Sequence, residues 1–177
     1  KIKRGKKQTY VENDEELTKI LIDLGAEKLA LADMNGDELV GKDRIKELLA
    51  LLAELESIAD GVRRLGINFD EYIQHVREDG SVPRYCVSVR QDDKVEYTFL
   101  YSEAELRSFN QAAEEKYGEK VQFISDHFSP AHAEAVQIKW EEIFSAKQTE
   151  ELNNQLATFG LKPETLATNG NPVYTVL

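Results

Sequence analysis

The feature that most constrains the fold is an apolar stripe that recurs at alternating steps of three and four residues. Its members are Ile45, Leu48, Leu52, Leu55, Ala59 and Val62. This spacing keeps one side of an α-helix apolar along its whole length, and that side is widened by Leu49, Leu51 and Ile58. A second helical pattern follows after a short turn and covers 69–76. Together the two patterns predict a long helical-hairpin arm.

The chain before this stripe combines a short helix with strands. Asn13 and Glu16 have the spacing of a helix cap, and Gly25 is a preferred residue just after a helix end. The apolar side predicted to be buried consists of Leu17, Ile20, Leu21 and Leu24. A strand is predicted over 28–34, and the Asn35–Gly36 pair predicts a two-residue hairpin turn.

The second half of the chain alternates with a period of two, which indicates β-strands. Two such segments, 85–89 and 95–101, flank a turn at 91–93. Further strands are predicted over 121–124, 136–140 and 172–176, with helices between them. Ser102 and Glu105 form a capping pair for the first of these helices. Strands in hairpin order, interrupted by helices, predict an α+β fold of antiparallel strands and packed helices.

Composition excludes several classes of protein. The 177 residues contain 41% hydrophobic residues, enough for a buried core, and no apolar run of bilayer-spanning length. We therefore expect no membrane partner. Cys86 is the only cysteine, so the sequence offers no disulfide framework and no thiolate metal site. A reducing, cytoplasmic location is the prediction that follows.

Charge is distributed very unevenly along the chain. The formal net charge is −11, yet the first seven residues carry five cations, Lys1, Lys3, Arg4, Lys6 and Lys7. Without these five the remainder of the chain stands at −16, because their removal lowers the net charge by five. Residues 1–11 place β-favouring residues on both sides of Gly5, which predicts a hairpin. The sequence thus predicts an acidic body with a basic hairpin at one end.

The basic hairpin is the strongest functional signal in the sequence. Five cations on a short two-stranded ribbon can lie along a phosphate backbone, so Lys1, Lys3, Arg4, Lys6 and Lys7 are the candidate DNA-binding residues. The alternative interpretation is a solvated turn at a chain terminus. Both interpretations remain open at this point.

Other possible sites have ordinary structural explanations. His127 and His132 lie near carboxylates, but their spacing matches no metal-binding motif. Asp33 and its polar neighbours are better explained by a hairpin turn than by a calcium loop. Cys86 lies within a strand and is expected to be an inert buried thiol, and His75 is expected at the surface or its boundary. No catalytic residue and no metal ligand is predicted.

The basic hairpin and the segments after it resemble one family. Lys1–Tyr10 followed by Asp14–Leu17 is similar to the B subunit of bacterial DNA gyrase, just after the Pro-Pro-Leu-Tyr that ends a strand of its topoisomerase–primase (TOPRIM) domain. Leu24–Glu27 and Leu39–Gly41 are also similar to that protein. Pro172–Leu177 stands where the family's chain would return to the TOPRIM core. The resemblance is specific over 1–27 and weaker over 28–66. Over 67–177 only the arrangement of the segments matches.

The resemblance implies that the chain is the large insertion that some bacterial gyrase B subunits carry within the TOPRIM domain. The chain begins at Lys1 and its only methionine is Met34, which predicts a processed protein or a piece of a longer chain. Three domains are predicted within one inserted region: the basic hairpin, continuous with the parent TOPRIM domain, over 1–12; a strand pair with the helical arm over 13–80; and a second α+β lobe over 81–177.

The resemblance also implies cofactors and partners. The parent would be an ATP-hydrolysing DNA topoisomerase, an isomerase that introduces negative supercoils, built from two A and two B subunits. Magnesium and ATP are implied for that parent and neither for this fragment. The family's E-G-D-S-A-G, D-x-D and Q-R-Y-K-G-L-G motifs do not occur in the sequence, so no catalytic residue is carried over. The implied partners are DNA, the gyrase A protein and the rest of the gyrase B protein.

Two other functions compete with this one. The chain could be an independent protein-interaction module or structural strut with no nucleic-acid role, which predicts no salt-dependent affinity for DNA. It could also be an enzyme whose site is not recognisable from the sequence.

Overall fold

The computed structural model describes residues 2–4, 6–26, 29–33, 35–41, 44–92, 94–125, 135–162 and 174–176. Over these ranges the chain is built from α-helices and short β-sheets, which confirms the predicted α+β class. The helices are α1 (Asp14–Gly25), α2 (Ile45–Arg64), α3 (Phe69–Gln74), α4 (Glu103–Tyr117) and α5 (Ala146–Ala157). The strands are β1 (Ile2–Arg4), β2 (Lys7–Thr9), β3 (Leu31–Asp33), β4 (Glu38–Val40), β5 (Tyr85–Gln91), β6 (Lys94–Leu100), β7 (Val121–Phe123), β8 (Val136–Glu142) and β9 (Tyr174–Val176). In this part of the chain no helix is long and apolar enough to cross a bilayer.

Contacts along the backbone divide the chain into two compact units. The first consists of Lys1–Ser57 and Leu152–Leu177, and the second of Ile58–Glu151. Both divisions fall inside helices, one within α2 and one within α5. The three domains expected from the sequence, 1–12, 13–80 and 81–177, remain a prediction.

In the first unit, α1 is capped as the sequence predicts. The side chain of Asn13 accepts a hydrogen bond from the Glu16 amide at 2.8 Å, and the Glu16 carboxylate accepts one from the Glu12 amide at 2.8 Å. These contacts satisfy amide groups that have no partner within the helix. The last residue of the helix is Gly25, which was predicted to lie just after the helix end, and Ala26 is the C-cap residue.

The apolar side of α1 differs from the prediction. Leu17, Ile20 and Leu24 are only half-buried, and Leu21 is 56% exposed. Periodicity fixes which side of a helix is apolar, but burial also needs an element that covers that side. Within the first unit, Lys46 of α2 forms an ion pair with Asp23 of α1 at 3.0 Å.

Besides the N-terminal hairpin, the described part of this unit contains a three-stranded antiparallel sheet with the strand order β4-β3-β9. The predicted last strand is present as β9. The connection between β3 and β4 is four residues long rather than the two-residue turn predicted at Asn35–Gly36. Within this connection the Asp33 carboxylate accepts hydrogen bonds from the amides of Asn35 and Asp37, at 2.8 and 2.9 Å. Gly36 takes the positive φ of +90° that this turn requires.

The apolar stripe between Ile45 and Val62 forms the buried side of α2. Its members are buried except Leu52, which is half-buried, and Leu51 and Ile58 are buried with them. The helix ends where predicted, with Gly66 at a φ of +78° and its amide donating to the Arg63 carbonyl at 2.9 Å.

The second helix of the predicted arm is short. α3 covers only Phe69–Gln74, and the Asn68 side chain caps it by accepting from the amides of Asp70 and Glu71. Phe69, Tyr72 and Ile73 are buried. α2 is therefore followed by a small packed helix, which ends two residues before the end of the predicted 69–76 pattern.

The second unit contains a four-stranded sheet of order β6-β5-β8-β7. The β5–β6 and β5–β8 pairs are antiparallel, as expected, whereas β7 and β8 run parallel. Twelve residues separate those two strands, which is the length that a parallel connection needs.

Helix α4 covers the middle of one face of this sheet. Leu106 and Ala113 of α4 form a buried core with Val87, Val136 and Ile138. The predicted capping pair is confirmed, because the Glu105 amide donates to Ser102 Oγ at 3.1 Å and the Glu105 carboxylate accepts from the Tyr101 amide at 2.7 Å.

Candidate nucleic-acid interface

The N-terminal basic segment folds as the predicted hairpin. β1 and β2 pair antiparallel with Ile2 opposite Thr9, Lys3 opposite Gln8 and Arg4 opposite Lys7. The two strands are joined by residues 5 and 6, a connection of the length found in the tightest hairpins. A two-stranded ribbon of this kind fits the major groove of B-DNA.

The register divides the cations between the two faces of the ribbon. Residues directly opposite each other share a face, and successive residues alternate. The positions of Arg4 and Lys7 therefore belong to one face and that of Lys3 to the other. Lys6 lies in the turn, and both Lys3 and Lys6 are exposed. Lys1, the fifth candidate, lies outside the described residues.

The hairpin is followed by a sharp change of charge. The first turn of α1 carries Asp14, Glu15 and Glu16, a favourable location for acidic residues because the positive end of the helix dipole is there. Tyr10 stands between the ribbon and this helix and is 72% exposed. The sequence pattern identifies Tyr10 only as a strand-forming residue, although an exposed aromatic side chain beside a basic run can stack on nucleic-acid bases.

The other sequence candidates have the structural roles predicted for them, where the structure describes them. The ring of His75 packs on Phe99 with centroids 4.6 Å apart. Cys86 is buried, and this burial raises the pKa of its thiol to about 11, which leaves it protonated and unreactive at neutral pH. The Asp33 carboxylate accepts hydrogen bonds from backbone amides of its own turn.

His127 and His132 lie outside the described residues, and those that are described contain no group of three or more potential metal ligands.

A groove in the second unit runs between β6 and α4. It consists of two neighbouring cavities that share Val89, Glu96 and Tyr117 in their linings. One has a volume of about 540 Å³, and the other, of about 210 Å³, is also lined by Phe109 and Lys116. The Lys116 ammonium lies 4.7 Å from the centre of the Tyr117 ring, and a hydrogen bond to that tyrosine raises the pKa of the lysine. A lysine held in its charged form is not a general base at neutral pH. The groove therefore offers binding surface rather than an evident catalytic pair.

The chain was compared with known proteins by family, by sequence and by structure. It matches no family model, no curated protein and no solved structure.

Proposed function

We propose that this chain is a non-catalytic insertion in the TOPRIM domain of a bacterial type II topoisomerase B protein of the DNA gyrase class, and that its hairpin contacts DNA. The observation that carries the proposal is the hairpin itself. The stretch over which the resemblance to gyrase B is specific, residues 1–27, begins with a tight antiparallel ribbon that has cations on both strands. A basic ribbon of this type contacts phosphates, and phosphate contacts position a protein on DNA without reading its sequence.

The acidic remainder has a different role in this proposal. A body of charge −16 is repelled by the phosphate backbone unless neighbouring domains hold it in place. It would act as a strut, or as a contact for the gyrase A protein and for the rest of the gyrase B protein. Magnesium and ATP would be bound by the parent enzyme, outside this chain.

A protein-interaction module is the second candidate, and exposed apolar side chains in the first unit favour it. Leu21 of α1, Leu39 of β4 and Val176 of β9 are 56%, 48% and 63% exposed. Covering such side chains with a partner protein removes apolar surface from water, which is favourable. This candidate shares the strut role but lacks affinity for DNA.

A charge-matched pair of variants separates the two candidates. In the first, Arg4, Lys6 and Lys7 are changed to Gln; in the control, the exposed cations Lys19, Arg64 and Arg84 are changed to Gln. Both lose three positive charges, so a non-specific charge effect weakens binding to a short DNA duplex equally. The proposal predicts that the hairpin variant alone loses its affinity. Equal losses would show that the hairpin is not the DNA contact, and no binding by the unaltered protein would favour the interaction module.

A further inference from the structure

Aromatic residues are exposed on the second-unit sheet beside the area that α4 covers. Val87 and Ile138, under the helix, are fully buried, whereas Trp140 of β8 and Phe123 of β7 remain 44% and 43% exposed. Phe123 pairs with Ile138, and Trp140 is two residues further along β8, so both belong to the face that carries α4. The helix leaves this corner of its own face uncovered.

The exposed corner has a defined ring geometry. Tyr85 of β5 lies against Trp140 with ring centroids 6.0 Å apart and an interplanar angle of 76°, an edge-to-face contact. Tyr85 is also packed against the core under α4, which holds the pair in place. We call Tyr85, Phe123, Trp140 and Glu142 the aromatic corner.

Glu142 adds a carboxylate to these rings. It pairs with Tyr85 across β5 and β8 and shares a face with Trp140, two residues away. Its neighbour Glu141 points to the opposite face, where it pairs with Lys139 at 2.7 Å. The aromatic corner therefore combines the negative faces of aromatic rings with a negative side chain, and both attract cations.

Elsewhere in the same unit, a cationic side chain binds to an aromatic ring and a carboxylate together. The Arg77 guanidinium stacks on the Tyr101 ring at 3.4 Å and donates to the Glu105 carboxylate at 3.3 Å. Arginine suits this arrangement because its flat, weakly hydrated head stacks on a ring while its N–H groups reach a carboxylate. The aromatic corner presents the same two acceptors, ring and carboxylate, at the surface.

We propose that the aromatic corner is a docking site for an arginine- or lysine-bearing segment of a partner protein. Charge complementarity supports this occupant, since the body that carries the corner is acidic and Glu142 lies within the corner itself. Exposed tryptophan and tyrosine are the residues most often found at the energetic centre of protein interfaces. Nucleic acid also stacks on exposed aromatic side chains, but its phosphates are repelled by this acidic surface.

Trp140 is the only tryptophan in the chain, so its indole N–H signal in a proton–nitrogen NMR spectrum reports on the site directly. The probe is tri-arginine amide, and tri-citrulline amide, which has the same shape without the charge, is the control ligand. We expect a saturable shift of the Trp140 signal with tri-arginine alone. Glu142→Gln should weaken that binding by about threefold or more, as expected for loss of one partly exposed charge contact. The matched variant Glu114→Gln, on the exposed side of α4, should bind as the unaltered protein does.

Four outcomes would overturn the proposal. Equal shifts with tri-citrulline would show that charge is not recognised, and equal binding by the Glu142 and Glu114 variants would show that the corner's carboxylate is not used. A shift of Trp140 with an oligothymidylate stronger than with tri-arginine would assign the corner to nucleic acid. A shift on concentration of the protein alone, lost in Glu142→Gln, would assign it to a second copy of this chain.

Discussion

Individual side chains in this protein set local geometry through hydrogen bonds to the backbone. Asp33 organises the β3–β4 connection, Asn13 begins α1 and Ser102 begins α4. Each of these residues accepts from an amide that would otherwise have no partner. The roles of Asn13 and Ser102 could be predicted from spacing alone. That of Asp33 could be predicted only as a turn, because which amides a carboxylate reaches depends on the folded backbone.

Asp33 should make stability depend on pH. The hydrogen bond from the Asp37 amide is the main cause that lowers the pKa of its carboxyl below the ordinary 3.8, so the folded state favours the charged form. The stabilisation is therefore present above 3.8 and is lost as the pH falls through the lower folded value. The melting temperature of Asp33→Asn should lie below that of the unaltered protein at pH 7, with the gap closing in strong acid. A gap that stays constant with pH would contradict this role, and Glu114→Gln, at an exposed position within α4, serves as the control.

Ser102 should contribute through its cap. Ser102→Ala removes the acceptor of the Glu105 amide and is expected to cost about 1 kcal/mol in the free energy of unfolding. Ser108→Ala lies on the exposed surface within the same helix and should cost nothing, because alanine is the better helix former there. Urea unfolding of the two variants measures the difference, and equal midpoints would count against the cap.

Helix α2 shows what periodicity does and does not reveal about an element. Its buried side and its end at Gly66 could be predicted, because spacing and a positive φ are local properties. The exposure of α1 could not be, since it depends on which elements pack against that helix. The parallel β7–β8 pair was missed for the same reason, because strand direction is a tertiary property.

The stripe of α2 should be essential to the fold. Leu55 is buried and Leu52 is half-buried, so Leu55→Ala is expected to cost about 2–5 kcal/mol and Leu52→Ala less. Ser57→Ala, on the exposed side, is the control. Urea unfolding followed by far-ultraviolet circular dichroism measures the free energy of unfolding of each of the three variants. Equal losses at positions 52 and 55 would contradict the packing described for α2.

At the scale of the whole molecule, the charge distribution sets the function that we propose. The candidate cations could be predicted from the sequence, but their division between two ribbon faces emerged only from the register of β1 and β2. Under this proposal we expect the cations of one face and of the turn, Arg4, Lys6 and Lys7, to be the ones that contact a phosphate backbone. Lys3 belongs to the other face, which makes it an internal control.

The salt dependence of DNA binding tests this account most directly. Fluorescence anisotropy of a short duplex at several salt concentrations should give a slope of log K against log salt of about −2.7, from three phosphate contacts. Lys7→Gln should flatten the slope by about 0.9, whereas Lys3→Gln should leave it nearly unchanged. Absence of binding, or a slope that both variants change equally, would contradict the claim that one face of the hairpin contacts DNA.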